Sequence, residues 1–336
     1  MLGKSKGAEI SQPLISKKRK TFTGGFIIAL ISVAALAVLS LFTGVYDIGQ
    51  EGGLEMFFIT RIPRTLSLML TGAAMSISGL VMQLMTQNRF VEPTTTGTIE
   101  WAGLGIVCVY AAFPRASLMM RTTGAILFSF VGTMVFFLFL RKVKLKSSLV
   151  VPIIGIMLGA IVSAISTFVG LMFDMTQSLE TWFAGSFAPV ERGRYEYLFV
   201  ILIITLIVYI LADRLTVAGL GEDIATNLGL NYSKIVLIGT ALISLAVGIV
   251  ASVIGNLPFL GLIVPNIVSM FRGDDVKSNL PWVSLFGMGI ITLCDIISRT
   301  IIMPFEVPVS LILGTCGAAV FILLIMRQRR NGANAK

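Results

Sequence analysis

An all-α, polytopic membrane protein of ten transmembrane helices, with short external and cytoplasmic helices between them, is the fold class this sequence predicts. Three observations predict it. Hydrophobic residues make up 56% of the 336 residues and charged ones only 13%, with a mean hydropathy of +0.93, which leaves no composition for a separate soluble domain. Nine apolar stretches approach the ~20 residues that cross a bilayer. Basic residues crowd both ends of the chain.

The nine stretches are residues 22–43, 65–86, 95–113, 122–140, 149–172, 195–212, 234–254, 282–302 and 308–326. A tenth, 257–271, is shorter and holds Pro258 and Pro265. Charge decides whether it crosses. Lys4, Lys6, Lys17, Lys18, Arg19 and Lys20 at one end, and Arg327, Arg329, Arg330 and Lys336 at the other, place both termini in the cytoplasm by the positive-inside rule. An even number of crossings follows, so 257–271 is expected to cross as a broken helix screened by its neighbours, since unpaired backbone is not tolerated in lipid. Most of the 26 Lys and Arg then fall on cytoplasmic segments. The basic charge thus reflects membrane orientation, and no nucleic-acid partner is expected. The first apolar run is long for a signal core and ends in LFTGVYD without a small-x-small cleavage site, so it reads as the first span. The organisation expected is a basic cytoplasmic tail over 1–21, a transmembrane domain over 22–328 and a cytoplasmic tail over 329–336.

Several chemistries are excluded. No G-x-x-x-x-G-K-[ST] phosphate loop occurs, so the chain is not expected to hydrolyse ATP and has no catalytic residues of that kind. There is no histidine, and Cys108, Cys294 and Cys316 lie within spans as apolar fillers. Neither a metal site nor a cofactor is expected.

Taken in order, the elements carry these features. Arg61 and Arg64, split by Pro63, open the second span, whose Gly72, Ser76, Gly79 and Gln83 share one helix face suited to packing against other helices. Glu100, about six residues into the third span, is expected to be the deepest carboxylate, either bonded within the bundle or meeting a substrate path; burial there costs ~2–3 kcal/mol. The fifth span carries Gly155, Gly159, Ser163, Ser166 and Gly170 in one stripe, read either as close helix packing or as a path lining. The segment after it holds Trp182 and Phe183 beside Glu180 and stops at Gly185-Ser186: a short external helix, or an interfacial aromatic anchor. In the Asp213–Lys234 loop, Gly219 and Gly221 break the chain, Glu222 and Asp223 favour a helix start, and Gly229 ends it. A rigid cytoplasmic knob over 222–229 is expected. Arg299, near the end of the ninth span, lies on the outer side with Arg61 and Arg64. Three roles are open for these arginines: partner docking, snorkelling to lipid phosphates, or, for Arg299, pairing with Asp295 one turn away.

Five blocks appear in a fixed order: RIPR at Arg61–Arg64, GAAMSISGLVMQ at Gly72–Gln83, Asn88 with Pro93 and Gly97, IATNLG at Ile224–Gly229, and GNLPFLGLIVPN at Gly255–Asn266. A sixth, DIISRT followed by PFEVPVSLILG, runs from Asp295 to Gly314. Together they resemble the FecCD family of ABC-transporter permeases, which carry iron–siderophore complexes, haem and vitamin B12 across the bacterial inner membrane. The resemblance implies a multi-pass permease of the bacterial cytoplasmic membrane working by alternating access. Its implied partners are a second permease subunit, with a heterodimer favoured over a homodimer, two ABC ATPase subunits and an iron–siderophore-binding protein. Arg61, Arg64 and Arg299 match the family's arginines that meet glutamates of the binding protein. Glu222, Asp223, Ala225, Leu228 and Gly229 match its ATPase-coupling helix, and the fifth span matches its path-lining helix. Pro265-Asn266 in place of the usual Pro-His, and TIEWAGLG opening the third span, resemble petrobactin-type and related catecholate-siderophore permeases. A vitamin B12 or haem importer is the alternative within the family. Outside it, an ion-coupled secondary transporter would have to rely on Glu100, Asp295 and Glu306, and a receptor or scaffold would leave the 222–229 knob without effect on uptake.

Overall fold

Long apolar segments in lipid must satisfy every backbone N–H and C=O internally, and a helix does so within one segment. The computed structural model describes residues 21–44, 49, 51–142 and 150–333. Among these the chain forms thirteen α-helices: α1 Gly24–Phe42, α2 Gly53–Met56, α3 Ile62–Thr86, α4 Thr98–Ala112, α5 Leu118–Lys142, α6 Val150–Met172, α7 Thr176–Phe183, α8 Val200–Ala218, α9 Glu222–Asn227, α10 Tyr232–Val253, α11 Leu260–Arg272, α12 Val276–Thr300 and α13 Val309–Ala333. A π-helical turn, Phe57–Arg61, joins α2 to α3, and a 3₁₀ turn, Tyr195–Phe199, leads into α8. Seven helical runs are long and apolar enough to cross a membrane, and α4, α11 and the Val309–Leu323 part of α13 are shorter apolar helices. Each sequence-predicted stretch corresponds to one of these ten. The basic tail over 1–20 lies outside the described residues, as do 334–336, while α13 continues to Ala333, so the tail expected from residue 329 is helical at its start.

The bundle is built around α3. The run containing it is 83% buried over its apolar window, against 11% for α1 at the periphery. Its small-residue face explains the difference. A Cβ on Gly72 would lie 2.6 Å from the carbonyl oxygen of Gly287 in α12, and one on Gly79 would strike the backbone of Gly261 in α11. Glycine here lets two backbones approach more closely than any side chain permits. Leu68, Met75 and Met82, all fully buried, fill the space between these contacts.

The break between α10 and α11 is real and internal. Leu257 is fully buried, and Phe259 has a left-handed backbone, φ 66°. The polar groups freed by the break are paired within the protein: Ser186 N–H donates to Ile254 O at 3.1 Å, and Phe259 N–H donates to Glu92 Oε1 at 2.7 Å. Pro265 inside α11 cannot donate to the Gly261 carbonyl four residues back. The Gln83 side-chain amide of α3 donates to that oxygen instead, at 3.3 Å. The fourth residue of the predicted packing face thus replaces a hydrogen bond that the proline removes.

Candidate functional site

Three places in the bundle gather the residues singled out by sequence. At one end, the C-termini of α1 and α12 meet the N-terminus of α3. A helix leaves its last four carbonyls unpaired, and two arginines supply donors for those of α1. Arg299 Nη1 donates to Ser40 O at 3.1 Å and to Thr43 O at 2.7 Å, and Arg61 Nη1 donates to Leu41 O at 3.2 Å. Cations are favoured at this helix end by the macrodipole as well.

Asp295, fully buried in α12, organises the rest. Its Oδ1 accepts from Arg64 Nη2 at 2.7 Å and Nε at 3.2 Å, and its Oδ2 pairs with Arg299 Nη2 at 2.8 Å. Arg64 Nη1 reaches Glu306, in the α12–α13 connection, at 2.9 Å. Snorkelling is therefore not the geometry of Arg64 and Arg299, which turn inward; the pairing considered for Arg299 with Asp295 is present. The two bonds of Arg64 differ in worth. Stripping one partner from a buried pair costs about 3–5 kcal/mol, whereas a part-exposed pair such as Arg64–Glu306 is worth about 0–1 kcal/mol. The three arginines converge on a cavity of about 140 Å³ lined also by Thr43, Thr60 and Glu306.

The α6 stripe packs inward. Gly155, Gly159, Ser166 and Gly170 are buried and Ser163 is half-buried. A Cβ on Gly155 would strike Thr95 O of the α3–α4 loop, one on Gly159 would lie 3.1 Å from Gly97 Cα, and one on Gly170 would strike Leu179 of α7. Close packing is thus what the three glycines of the stripe do within the chain. The outward face of α6 is instead bulky and apolar, with Ile153, Ile156, Met157, Ile161, Ile165 and Phe168 exposed. The external-helix expectation corresponds to α7, whose Trp182 stacks on Tyr110 with centroids 4.9 Å apart.

Glu100 is half-buried. It lies in the first turn of α4, where the helix N-terminus favours a carboxylate, and its carboxyl group sits against Gly159 of α6. Two other carboxylates, Asp295 and Glu92, are fully buried. Glu92 was not singled out by sequence. It accepts from Thr94 and from the Phe259 N–H, holding the start of α11 to the α3–α4 loop. The Glu92-Pro93 pair, in a loop between two apolar runs, was its only sequence signal.

At the opposite end, α9 forms the knob. Glu222 and Asp223 occupy its first turn, and Glu222 pairs with Arg141 of α5 at 3.0 Å. Gly229, at φ 79°, closes it with a Schellman pattern: Gly229 N–H to Thr226 O and Leu230 N–H to Ala225 O, both 2.9 Å. Ala225 is fully buried and anchors the knob, while Leu228 is 65% exposed beside exposed Ile224 and Leu220. Beside it, a cavity of about 310 Å³ opens between α3, α8, α11 and α12. Asn266 at its wall donates to Arg89 O at 2.8 Å and Leu262 O at 2.7 Å, a bundle-internal role.

Residues 22–327 match the FecCD transport family. The chain belongs to that family. It is 69% identical, over 97% of its length and 98% of the relative's, to the petrobactin import system permease protein FatD of Bacillus anthracis. Petrobactin import system permease protein YclN of Bacillus subtilis is 40% identical, over 90% of this chain and 97% of the relative. Among solved structures, a protein described as of the metal-chelate ABC transporter type, in an inward-facing conformation, matches with a TM-score of 0.78 at 27% identity, covering 90% of this chain and 98% of that one. The family resemblance expected from the six blocks therefore holds, and with it the petrobactin-type likeness. The chain is a membrane permease with the all-helical fold of its family.

Proposed function

We propose that this FecCD-family chain is the transmembrane subunit of an ABC importer for iron–siderophore complexes of the petrobactin type. The observation that carries the reading is the 69% identity with a petrobactin import permease along nearly the whole of both chains. In this reading the seven long and three short apolar helices make ten crossings of the bacterial cytoplasmic membrane, with both termini inside. The arginine cavity then faces outward to a siderophore-binding protein, and α9 faces the cytoplasm. A second permease subunit, as a heterodimer, completes the membrane unit, and the translocation path runs beside α6 along the subunit interface. The outward face of α6 is apolar, as contact with a second subunit or with lipid requires.

Two ATPase subunits bind below, and closure driven by ATP presses on the knob through exposed Leu228. A compact cap with one buried anchor, Ala225, and an exposed apolar tip suits transmission of force better than a flexible loop does. Of the three carboxylates an ion-coupled mechanism would rely on, Asp295 and Glu306 are held by Arg64, which leaves only Glu100 to carry it.

Uptake of radioactive iron by iron-starved cells, with and without the gene, tests the reading on a panel of catecholate, hydroxamate and citrate siderophores. Loss confined to petrobactin, restored by the intact gene, is expected. Retention of petrobactin uptake together with loss of another class would replace the cargo.

A further inference from the structure

The two carboxylates on Arg64 are not equivalent. Asp295 is sealed in the bundle and holds Nε and Nη2, whereas the Glu306 side chain is 33% exposed and holds only Nη1 at 2.9 Å. Glu306, in the short connection between α12 and α13, lines the cavity of about 140 Å³ together with the three arginines. The cavity opens to the surface, so a carboxylate from outside can enter it. Arg61, Arg64 and Arg299 against Asp295 and Glu306 leave one net positive charge. Asp295 is shared between two buried guanidiniums, those of Arg64 and Arg299. Glu306 neutralises only the part of Arg64 that faces the opening.

We propose that Glu306 is an exchangeable stand-in: it occupies Arg64 Nη1 while the permease is undocked, and an acidic side chain of the siderophore-binding protein displaces it on docking. The inference rests on the reading of this cavity as the docking site. The exchange costs little because one part-exposed ion pair replaces another. It keeps Arg64 paired in the undocked state and weakens capture, favouring release of the binding protein after delivery.

The test is the affinity of the solute-binding protein for the assembled importer in lipid nanodiscs, at low and high ionic strength. Glu306→Gln keeps the side-chain shape and removes the competitor; capture should tighten about fivefold at low salt, the worth of one such pair. Glu306→Asp retains the charge and should stay within twofold of the parent. Glu191 lies at the same end, since the N–H of Arg192 beside it donates to Ile59 O, but it is exposed and does not line the cavity; equal tightening by Glu191→Gln would reduce the effect to net field and overturn the exchange. If Arg61→Gln weakens capture while Glu306→Gln leaves it unchanged or weaker, docking stands and the exchange is wrong. If neither variant alters capture, the docking reading falls and takes the exchange with it. Thermal midpoints of all variants establish that each compares a folded protein.

Discussion

At the end where α1, α3 and α12 meet, Arg64, Arg299 and Asp295 are folded inward on one another, with side chains 11% exposed or less. At the α9 end, Arg89–Asp274, Arg141–Glu222 and Lys277–Asp213 pair at similar distances, 2.6–3.0 Å, but with every side chain about half exposed or more. Similar geometry therefore carries different weight. Buried charges fix where three helices meet, because separating them leaves an uncompensated ion. Surface pairs compete with water and salt and hold the α9 end less firmly.

The contrast can be broken most forcefully at Asp295. Asp295→Ala should destabilise the purified protein by about 3–5 kcal/mol, read as a fall in thermal midpoint and in the yield of monodisperse protein; an unchanged midpoint would mean that the cluster does not hold the helices. Gln83→Leu leaves the Gly261 carbonyl without its substitute donor, and a loss of about 1–3 kcal/mol is expected in the same assay. Leu228→Ala sharpens the comparison from the other side. The exposed position should cost no more than ~0.5 kcal/mol in stability, yet iron uptake and substrate-stimulated ATP hydrolysis should fall well below parent. Uptake at the parental rate would remove Leu228 from the coupling surface. Smallest of all, Glu222→Gln removes the surface pair with Arg141 and one of two first-turn carboxylates of α9, with an expected change of ~0–1 kcal/mol. A loss as large as that for Asp295→Ala would erase the distinction between the two ends.

The packing face of α3 was legible because its period is local. Gly72, Ser76, Gly79 and Gln83 recur at helical spacing, and all four meet α11 or α12. The knob was legible for the same reason, since Gly221, Glu222 and Gly229 mark a short helix by their own backbone and charge preferences. The arginines were legible as an anomaly but not in direction. Whether Arg64 points to water or to Asp295, 231 residues away, depends on which helices are neighbours. The α6 stripe illustrates the same gap: small residues at spacings of three and four announce a close contact but not whether a helix, a loop or a substrate makes it. Here the α3–α4 loop and α7 make it. Glu92 was passed over because a carboxylate beside a proline in a polar loop looks solvated until the start of α11 is brought against it.

By itself, the sequence determined the helical membrane architecture, the positions of its apolar segments, the small-residue face of α3, the knob and the family, because hydropathy, helical period and capping preferences act within one or a few turns. Tertiary structure alone decided which charges are buried and paired, that Gln83 repairs the carbonyl freed by Pro265, that Glu92 holds a broken helix in place, and which face of α6 is left outward. Those outcomes depend on contacts between segments far apart in the chain, where the low dielectric makes partner geometry, rather than residue type, set the energy.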